Sequence, residues 1–277
     1  GVTKRKELDF EETPSGDEHL ESARARGDII KCMLVRCFSI KNVFAHYVPV
    51  KGADEEDYAA GLVAAAVLWL GHTEVILKGD NEKALQAMIG RSMQLLRVRV
   101  SEADSRVTLK RLTSEKSAPY DSQSNGGTEV RVMLIRGPFG ALKLCLEAHV
   151  GKYIPVHHPV LPWLLEPTAF LLNVRSRGSD GLTPWARVRG RAFGMQVIGF
   201  GEEVSFKRPM EVPGAQPECN MGAVQEEGIF IGYNRSVNTY ILGDNLGRKV
   251  EPRSVARRPE QNRWSAEKLS CIKDALW

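Results

Sequence analysis

The spacing of apolar and polar positions divides the chain into two textures. Up to about Gly190, apolar residues recur at strand and helix periods in turn; beyond it, short β-type runs are broken by Gly, Pro and Asn. In the first part, Val2 to Phe10 alternates enough to predict a first strand, followed by a polar loop from Glu11 to Gly27. Ile29 to Arg36 and Ile40 to Val48 are β-rich runs on either side of a short turn, which predicts a hairpin. Asp54 to Leu70 reads as a helix, with acids crowded into its first turn and Gly71 closing it. Val75 to Leu77 reads as a buried strand, Asn81 to about Val98 as a helix, and Arg106 to Leu112 as an edge strand. A loop from Thr113 to Gly127 then feeds a helix from about Thr128 to His149. Pro159 to Val174 is apolar almost all round, which predicts a buried helix.

This order, β-β-β-α-β-α-β-α-α, predicts an α/β fold: a mixed sheet with helices packed on it. After Gly190 the runs Met195 to Phe200, Glu203 to Lys207, Gly228 to Tyr233, Thr239 to Leu242 and Lys249 to Glu251 predict a small β barrel or sandwich. The expected organisation is therefore a core over residues 1–190, a β module over 191–258, and a charged tail or helix over 259–277.

Composition changes this picture little. With 43% hydrophobic and 26% charged residues in 277, the chain has the make-up of an ordinary globular protein with a packed core. The formal net charge of +4 is unevenly placed: Glu7, Asp9, Glu11, Glu12, Asp17, Glu18 and Glu21 crowd the front. Arg248, Lys249, Arg253, Arg257, Arg258 and Arg263 dominate the rear, which reads either as a polyanion-facing segment or as solvated surface. Five cysteines without a Cys-x-x-Cys spacing indicate neither a disulfide framework nor a zinc knuckle, and His157-His158 has no cysteines at zinc spacing. The longest apolar run, Ala59 to Leu70, is too short to span a bilayer, so no membrane partner is expected.

Candidate chemistry lies where carboxylates meet the ends of predicted elements. Glu74-Val-Ile-Leu-Lys-Gly runs into Asp80, and Asn125-Gly126-Gly127 forms a predicted tight turn before Glu129 at the start of a helix. Carboxylates so placed suit Mg²⁺ or Mn²⁺, hard cations that take oxygen ligands. Asp80 also suits a helix N-cap, and Glu129 a first-turn acid that complements the helix dipole. If the first strand runs parallel to Val75–Leu77, Asp9 at its carboxyl end lies beside Asp80, which makes Asp9 the third candidate.

Ile76-Leu77-Lys78-Gly79-Asp80-Asn81-Glu82, followed by Asp121-Ser122-Gln123-Ser124-Asn125-Gly126-Gly127-Thr128-Glu129, resembles the catalytic core of retroelement integrases, most closely the copia-type retrotransposon polyproteins. Phe44 to Gly52, Leu182-Thr183-Pro184-Trp185 and Gly228 to Tyr233 fit the same resemblance in the same order. The resemblance implies a ribonuclease-H-like fold with a mixed five-stranded sheet, in which Asp9, Asp80 and Glu129 bind two Mg²⁺ or Mn²⁺ ions. It implies trimming of element DNA ends and attack of the 3′-hydroxyl on target DNA, by a homo-oligomer, in the nucleus after a cytoplasmic particle stage. Asn125, Arg136, Lys143, Arg253, Arg257 and Arg258 are then candidate nucleic-acid contacts.

Two departures stand out. Forty-eight residues, Asn81 to Thr128, separate Asp80 from Glu129, a longer spacing than in many integrases. Pro138 and Pro167 fall inside predicted helices, where a proline costs about 3 kcal/mol or more. A catalytically decayed nucleic-acid-binding relic is accordingly the alternative reading. A ribonuclease-H-type nuclease, with Glu147 or Glu166 as a fourth acid, is a third.

Overall fold

A computed structural model describes residues 30–48, 57–102, 109–116, 122–207 and 225–272, with the backbone alone for residues 102, 116 and 122–132. The predicted first strand and Asp9 lie outside the described residues. The hairpin is present: β1 (Cys32–Arg36) pairs antiparallel with β2 (Val43–Tyr47), in register from Cys32 opposite Tyr47 to Arg36 opposite Val43. Helix α1 (Tyr58–Leu70) ends at Gly71, whose left-handed φ of 71° suits a residue without Cβ. Its start differs from expectation. Asp57 adopts φ 57° and breaks the helical path, and no acid lies in the first turn. The Asp57 carboxylate instead accepts from Arg91 Nε at 2.6 Å.

Strand β3 (Glu74–Gly79) leads into α2 (Lys83–Glu102) and pairs in parallel with β4 (Arg111–Lys116). The second strand of this pair lies further along than the alternation over Arg106 to Leu112 predicts. The Lys110 and Arg111 N–H groups both donate to the Thr73 carbonyl, at 2.7 and 3.2 Å, and this sets the register from Glu74 opposite Arg111 to Gly79 opposite Lys116. Helix α3 (Ser122–Val150) also begins earlier, so Asn125-Gly126-Gly127 is helical rather than a turn. Glycine lowers helix stability by about 1 kcal/mol each, and a helix this long has other turns to carry that loss. Pro138 is tolerated as well: it offers no N–H to the Leu134 carbonyl, and Leu134 is solvent-exposed, so water can take the vacated bond.

Helix α4 (Val160–Arg175) is buried, as its all-round apolar sequence predicts, and it organises the molecule. One side runs along β2. The Asn173 side chain closes two bonds with Val43, accepting from its N–H at 2.9 Å and donating to its carbonyl at 2.6 Å. Leu165 and Ala169 pack with Val43, Ala45 and Ile135 of α3 between the polar contacts. Pro167 is buried and lies beside Gly232 of the sheet that follows. A short α5 (Pro184–Arg189) follows, capped by Thr183, whose hydroxyl accepts from the Ala186 N–H at 3.2 Å.

The remaining strands among the described residues are β5 (Glu203–Phe206), β6 (Glu226–Asn234), β7 (Thr239–Asp244), β8 (Lys249–Val250) and β9 (Val255–Arg257). They form one antiparallel sheet in the order β8-β7-β6-β5-β9, an open sheet rather than a barrel or sandwich. Closure is unnecessary because helices cover the sheet. Val160, Leu161 and Leu164 pack on Ile229, Ile231 and Ile241, while Phe170 and Trp185 pack with Phe230, Tyr233 and Tyr240. Each such aliphatic or aromatic side chain contributes roughly 1.5–3 kcal/mol on full burial. Met195 to Phe200 is not a strand. The Tyr233 hydroxyl takes its ladder's place, accepting from the Ile198 N–H at 2.9 Å and donating to the Gln196 carbonyl at 3.0 Å.

Residues 259–272 pack against the sheet and α4. A 3-10 turn (Glu260–Asn262) leads to α6 (Ala266–Ser270), whose Leu269 is buried in the cluster beneath α4. Trp264 stacks on His149 of α3, with ring centroids 4.2 Å apart.

Candidate functional site

The parallel β3–β4 pair places Asp80 where its local sequence predicts, one residue beyond the carboxyl end of β3. Two contacts hold that end. Gln86 of α2 donates from Nε2 to the Asp80 carbonyl at 2.7 Å. A Cβ at Gly79 would meet Ile89 Cδ1 at 2.7 Å and Leu85 Cδ2 at 3.0 Å, so α2 packs closely onto the strand here and a larger residue would push those side chains aside. The Gln86 N–H donates to the Glu82 carbonyl at 3.0 Å, which makes Glu82 the residue that opens α2. Asp80 therefore does not serve as the N-cap of that helix. Its carboxylate is partly exposed, with no side-chain partner among the described residues. Such an oxygen donor fits Mg²⁺ or Mn²⁺.

Glu129 lies about two turns inside α3 rather than in its first turn, because the helix starts at Ser122. The side chains of Glu129 and Asn125, and all of Asp9, lie outside the described residues. Among the described residues, no three His, Cys, Asp or Glu side chains gather in a metal-holding group. No described helix is long and apolar enough to cross a membrane.

The basic candidates divide by partner. Arg136 and Arg253 are exposed. Lys143 pairs with Glu147 at 2.6 Å and lies over the Tyr153 ring at 4.6 Å. Glu147 also accepts from the Ile154 N–H at 2.8 Å, so it closes the end of α3. The Lys143 bond first, and the Ile154 bond second, hold its carboxyl below the usual range. Arg257 grips the fully buried Glu202, Nε to Oε1 at 2.6 Å and Nη2 to Oε2 at 2.7 Å. Arg258 binds Glu203 at 2.7 Å and Glu227 at 2.9 Å, and Lys268 binds the same two carboxylates. Three of the six sequence candidates thus have acidic partners within the fold.

Sequence reasoning missed these pairings, and it missed the role of His46. His46 Nδ1 donates to Glu166 Oε1 at 2.5 Å, joining β2 to α4. Burial pushes the Glu166 carboxyl up. The bond from His46 and the positive charges of His46, Arg235 and Lys249 outweigh it and hold the group below the usual range. Arg235 is itself pulled down by burial, against the opposing effect of Glu166, and lies over the Phe44 ring at 4.8 Å. One signal was available in the sequence: Glu202-Glu203 stands where a β-type run begins, and acids buried there, as both are, require cationic partners.

The fold and these contacts define a mixed α/β protein in which a parallel strand pair presents a carboxylate at its end. No protein-family model and no curated protein matches the chain.

Proposed function

We propose that the chain is the catalytic core of a retrotransposon integrase, a metal-dependent DNA strand transferase of ribonuclease-H-like fold. One observation carries the reading: Asp80 at the carboxyl end of β3, a strand that shares an apolar cluster with the β1–β2 hairpin. Cys37 Sγ, just past the end of β1, lies 3.2 Å from His72 Nε2, just before β3 begins, so the end of β1 and the start of β3 are neighbours. Met33 and Val35 of β1 and Leu77 of β3 share one apolar cluster under α1 and α2, yet the strands are not laddered to each other. A strand antiparallel to β1 and parallel to β3 would join the two ladders into a five-stranded mixed sheet. Its carboxyl end would then fall beside Asp80. The reading assigns Val2 to Phe10 to this position, with Asp9 as its acid.

Asp9, Asp80 and Glu129 would hold Mg²⁺ or Mn²⁺, which when bound supplies Lewis-acid activation of the attacking oxygen and neutralises charge on the leaving one. The chain's own part is positioning. Gln86 and the close approach of α2 at Gly79 fix the Asp80 backbone, so its carboxylate starts from a rigid base. Arg136 and Arg253 are free to meet DNA phosphates, whereas Lys143, Arg257 and Arg258 chiefly hold the fold. By the same resemblance the protein acts as a homo-oligomer in the nucleus. Glu147 and Glu166 each have internal cationic partners, which counts against a nuclease with either as a fourth acid.

A second reading, the non-catalytic nucleic-acid-binding relic, is favoured by Pro138 within the helix that carries Glu129. Strand transfer on a labelled DNA end with Mn²⁺ separates the two. The proposal expects product from the parent chain and none from an Asp80→Asn/Glu129→Gln double variant. It also expects Mn²⁺ to raise the melting temperature of the parent alone, since a ligand bound only by the native state stabilises it. A folded parent that binds DNA, gives no product and gains no stability from Mn²⁺ is the relic.

A further inference from the structure

The junction of α4 and α5 carries a charge excess unrelated to the carboxylates or to the basic rear of the chain. Residues 175–191 hold Arg175, Arg177, Arg187, Arg189 and Arg191 against a single acid, Asp180, a net of +4 that equals the formal charge of the whole chain. The fold disposes of that acid. Arg187 binds Asp180 through Nε at 3.0 Å and Nη2 at 2.6 Å, and its Nη1 donates to the Ile40 carbonyl at 3.0 Å. Its guanidinium lies against Gly178, so the turn after α4 is pinned to α5.

Arg175, Arg177, Arg189 and Arg191 remain exposed, with no carboxylate paired to them among the described residues. Arg189 is held in place: it lies 4.8 Å over the Trp69 ring and 5.7 Å from that of Trp185, and Nη2 donates to the Arg235 carbonyl at 3.0 Å. Compensation of helix dipoles accounts for part of this charge, because Arg175 and Arg189 lie in last turns. Arg177 lies between the two helices and Arg191 after the second, and dipole compensation leaves both unexplained.

We infer that these four exposed guanidiniums, none of them paired to a carboxylate among the described residues, form a docking surface for the phosphodiester backbone of a nucleic acid. The planar guanidinium fork matches phosphate oxygens two at a time, and stacking on indole faces orients Arg189 without lowering its charge. A lipid surface would call for apolar side chains to insert as well, and Leu182, 48% exposed, is the one large exposed apolar residue in the segment. The inference rests on the catalytic reading for the identity of the polyanion. It extends that reading from the reacting carboxylates to the surface that holds the duplex.

The test is titration of the full chain with a labelled duplex of about 30 bp between about 50 and 200 mM KCl, where log K falls by roughly 0.9 per phosphate contact per log unit of salt. The Arg175→Ala/Arg177→Ala/Arg191→Ala variant should reduce that slope by about 2–3 and the affinity near 0.1 M by on the order of 10²-fold. The matching triple Lys variant, which keeps the charge, should keep the slope. A control with the same charge change, Arg97→Ala/Lys110→Ala/Arg111→Ala, should show less than about a third of the effect. Equal effects in patch and control overturn the inference, as does binding to phosphatidylserine vesicles without binding to DNA. The Asp80→Asn/Glu129→Gln variant should bind DNA like the parent. Patch-independent binding with strand transfer intact removes this inference alone. Patch-dependent binding without strand transfer removes the catalytic reading alone.

Discussion

Replacing Glu202 with alanine is the most exacting stability test this fold offers. The side chain is fully buried at the point where the irregular run after Phe200 enters β5, and both its oxygens are committed. Arg257 of β9 donates to each, at 2.6 and 2.7 Å, the Gly199 N–H donates at 3.2 Å, and Arg263 approaches to 3.7 Å. Truncation removes the anion and leaves two arginines facing a pocket with no counter-charge. Breaking a buried pair in this way costs about 3–5 kcal/mol, a large part of the roughly 5–15 kcal/mol that stabilises a domain. For a chain of this size each kcal/mol shifts the melting temperature by about 2–4 °C, so a drop of roughly 6–20 °C is expected. Glu202→Gln keeps the shape and one acceptor and should fall between alanine and parent. A double-mutant cycle with Arg257→Ala, read by thermal and urea unfolding, should return a coupling of about 0.5–3 kcal/mol. A Glu202→Ala protein that melts within about 1 °C of the parent would refute the reasoning, since the pair would then contribute nothing to folding.

Asn173→Ala should destabilise by about 2–4 kcal/mol, because the buried N–H and carbonyl of Val43 lose both partners at once; amide exchange at Val43 should rise more than at Cys32, at the far end of the hairpin. Glu166 predicts a pH effect. Its folded-state pKa lies below the unfolded value, so the stabilisation is fully present above about pH 4.3 and is lost as pH falls through the folded value. The melting temperature of the parent should therefore fall more steeply than that of Glu166→Gln as pH drops from about 5 to 3, and parallel curves would exclude the His46–Glu166 pair as its cause.

Local pattern made several elements legible. The β1–β2 hairpin, the end of α1 at Gly71, the position of β3 and the burial of α4 all follow from periodicity and from one glycine, because each depends on residues a few positions apart; β3 is not the buried strand that its apolar run predicts, for Ile76 is 56% exposed. Asp80 was legible for the same reason: an apolar strand that stops at a glycine and an acid places that acid at a sheet edge. The misreadings share a different cause. The position of β4 depends on Thr73, nearly forty residues upstream of it, and the failure of Met195 to Phe200 to form a strand depends on the Tyr233 hydroxyl. Asn125-Gly126-Gly127 has the local chemistry of a turn, and the helix around it overrode that preference.

The sequence by itself determined the class of fold, the burial of α4 and the address of Asp80. Only the tertiary structure decided which charges are free. Arg257 and Arg258 look in the sequence like Arg177 and Arg191, arginines within two positions of another arginine. The first two meet carboxylates brought from Glu202, Glu203 and Glu227, and the last two meet none among the described residues. Periodicity reports how a side chain is turned relative to its neighbours in sequence. An ion pair requires two charges within about 4 Å in space, and for residues 55 apart, such as Glu202 and Arg257, only the folded chain sets that distance.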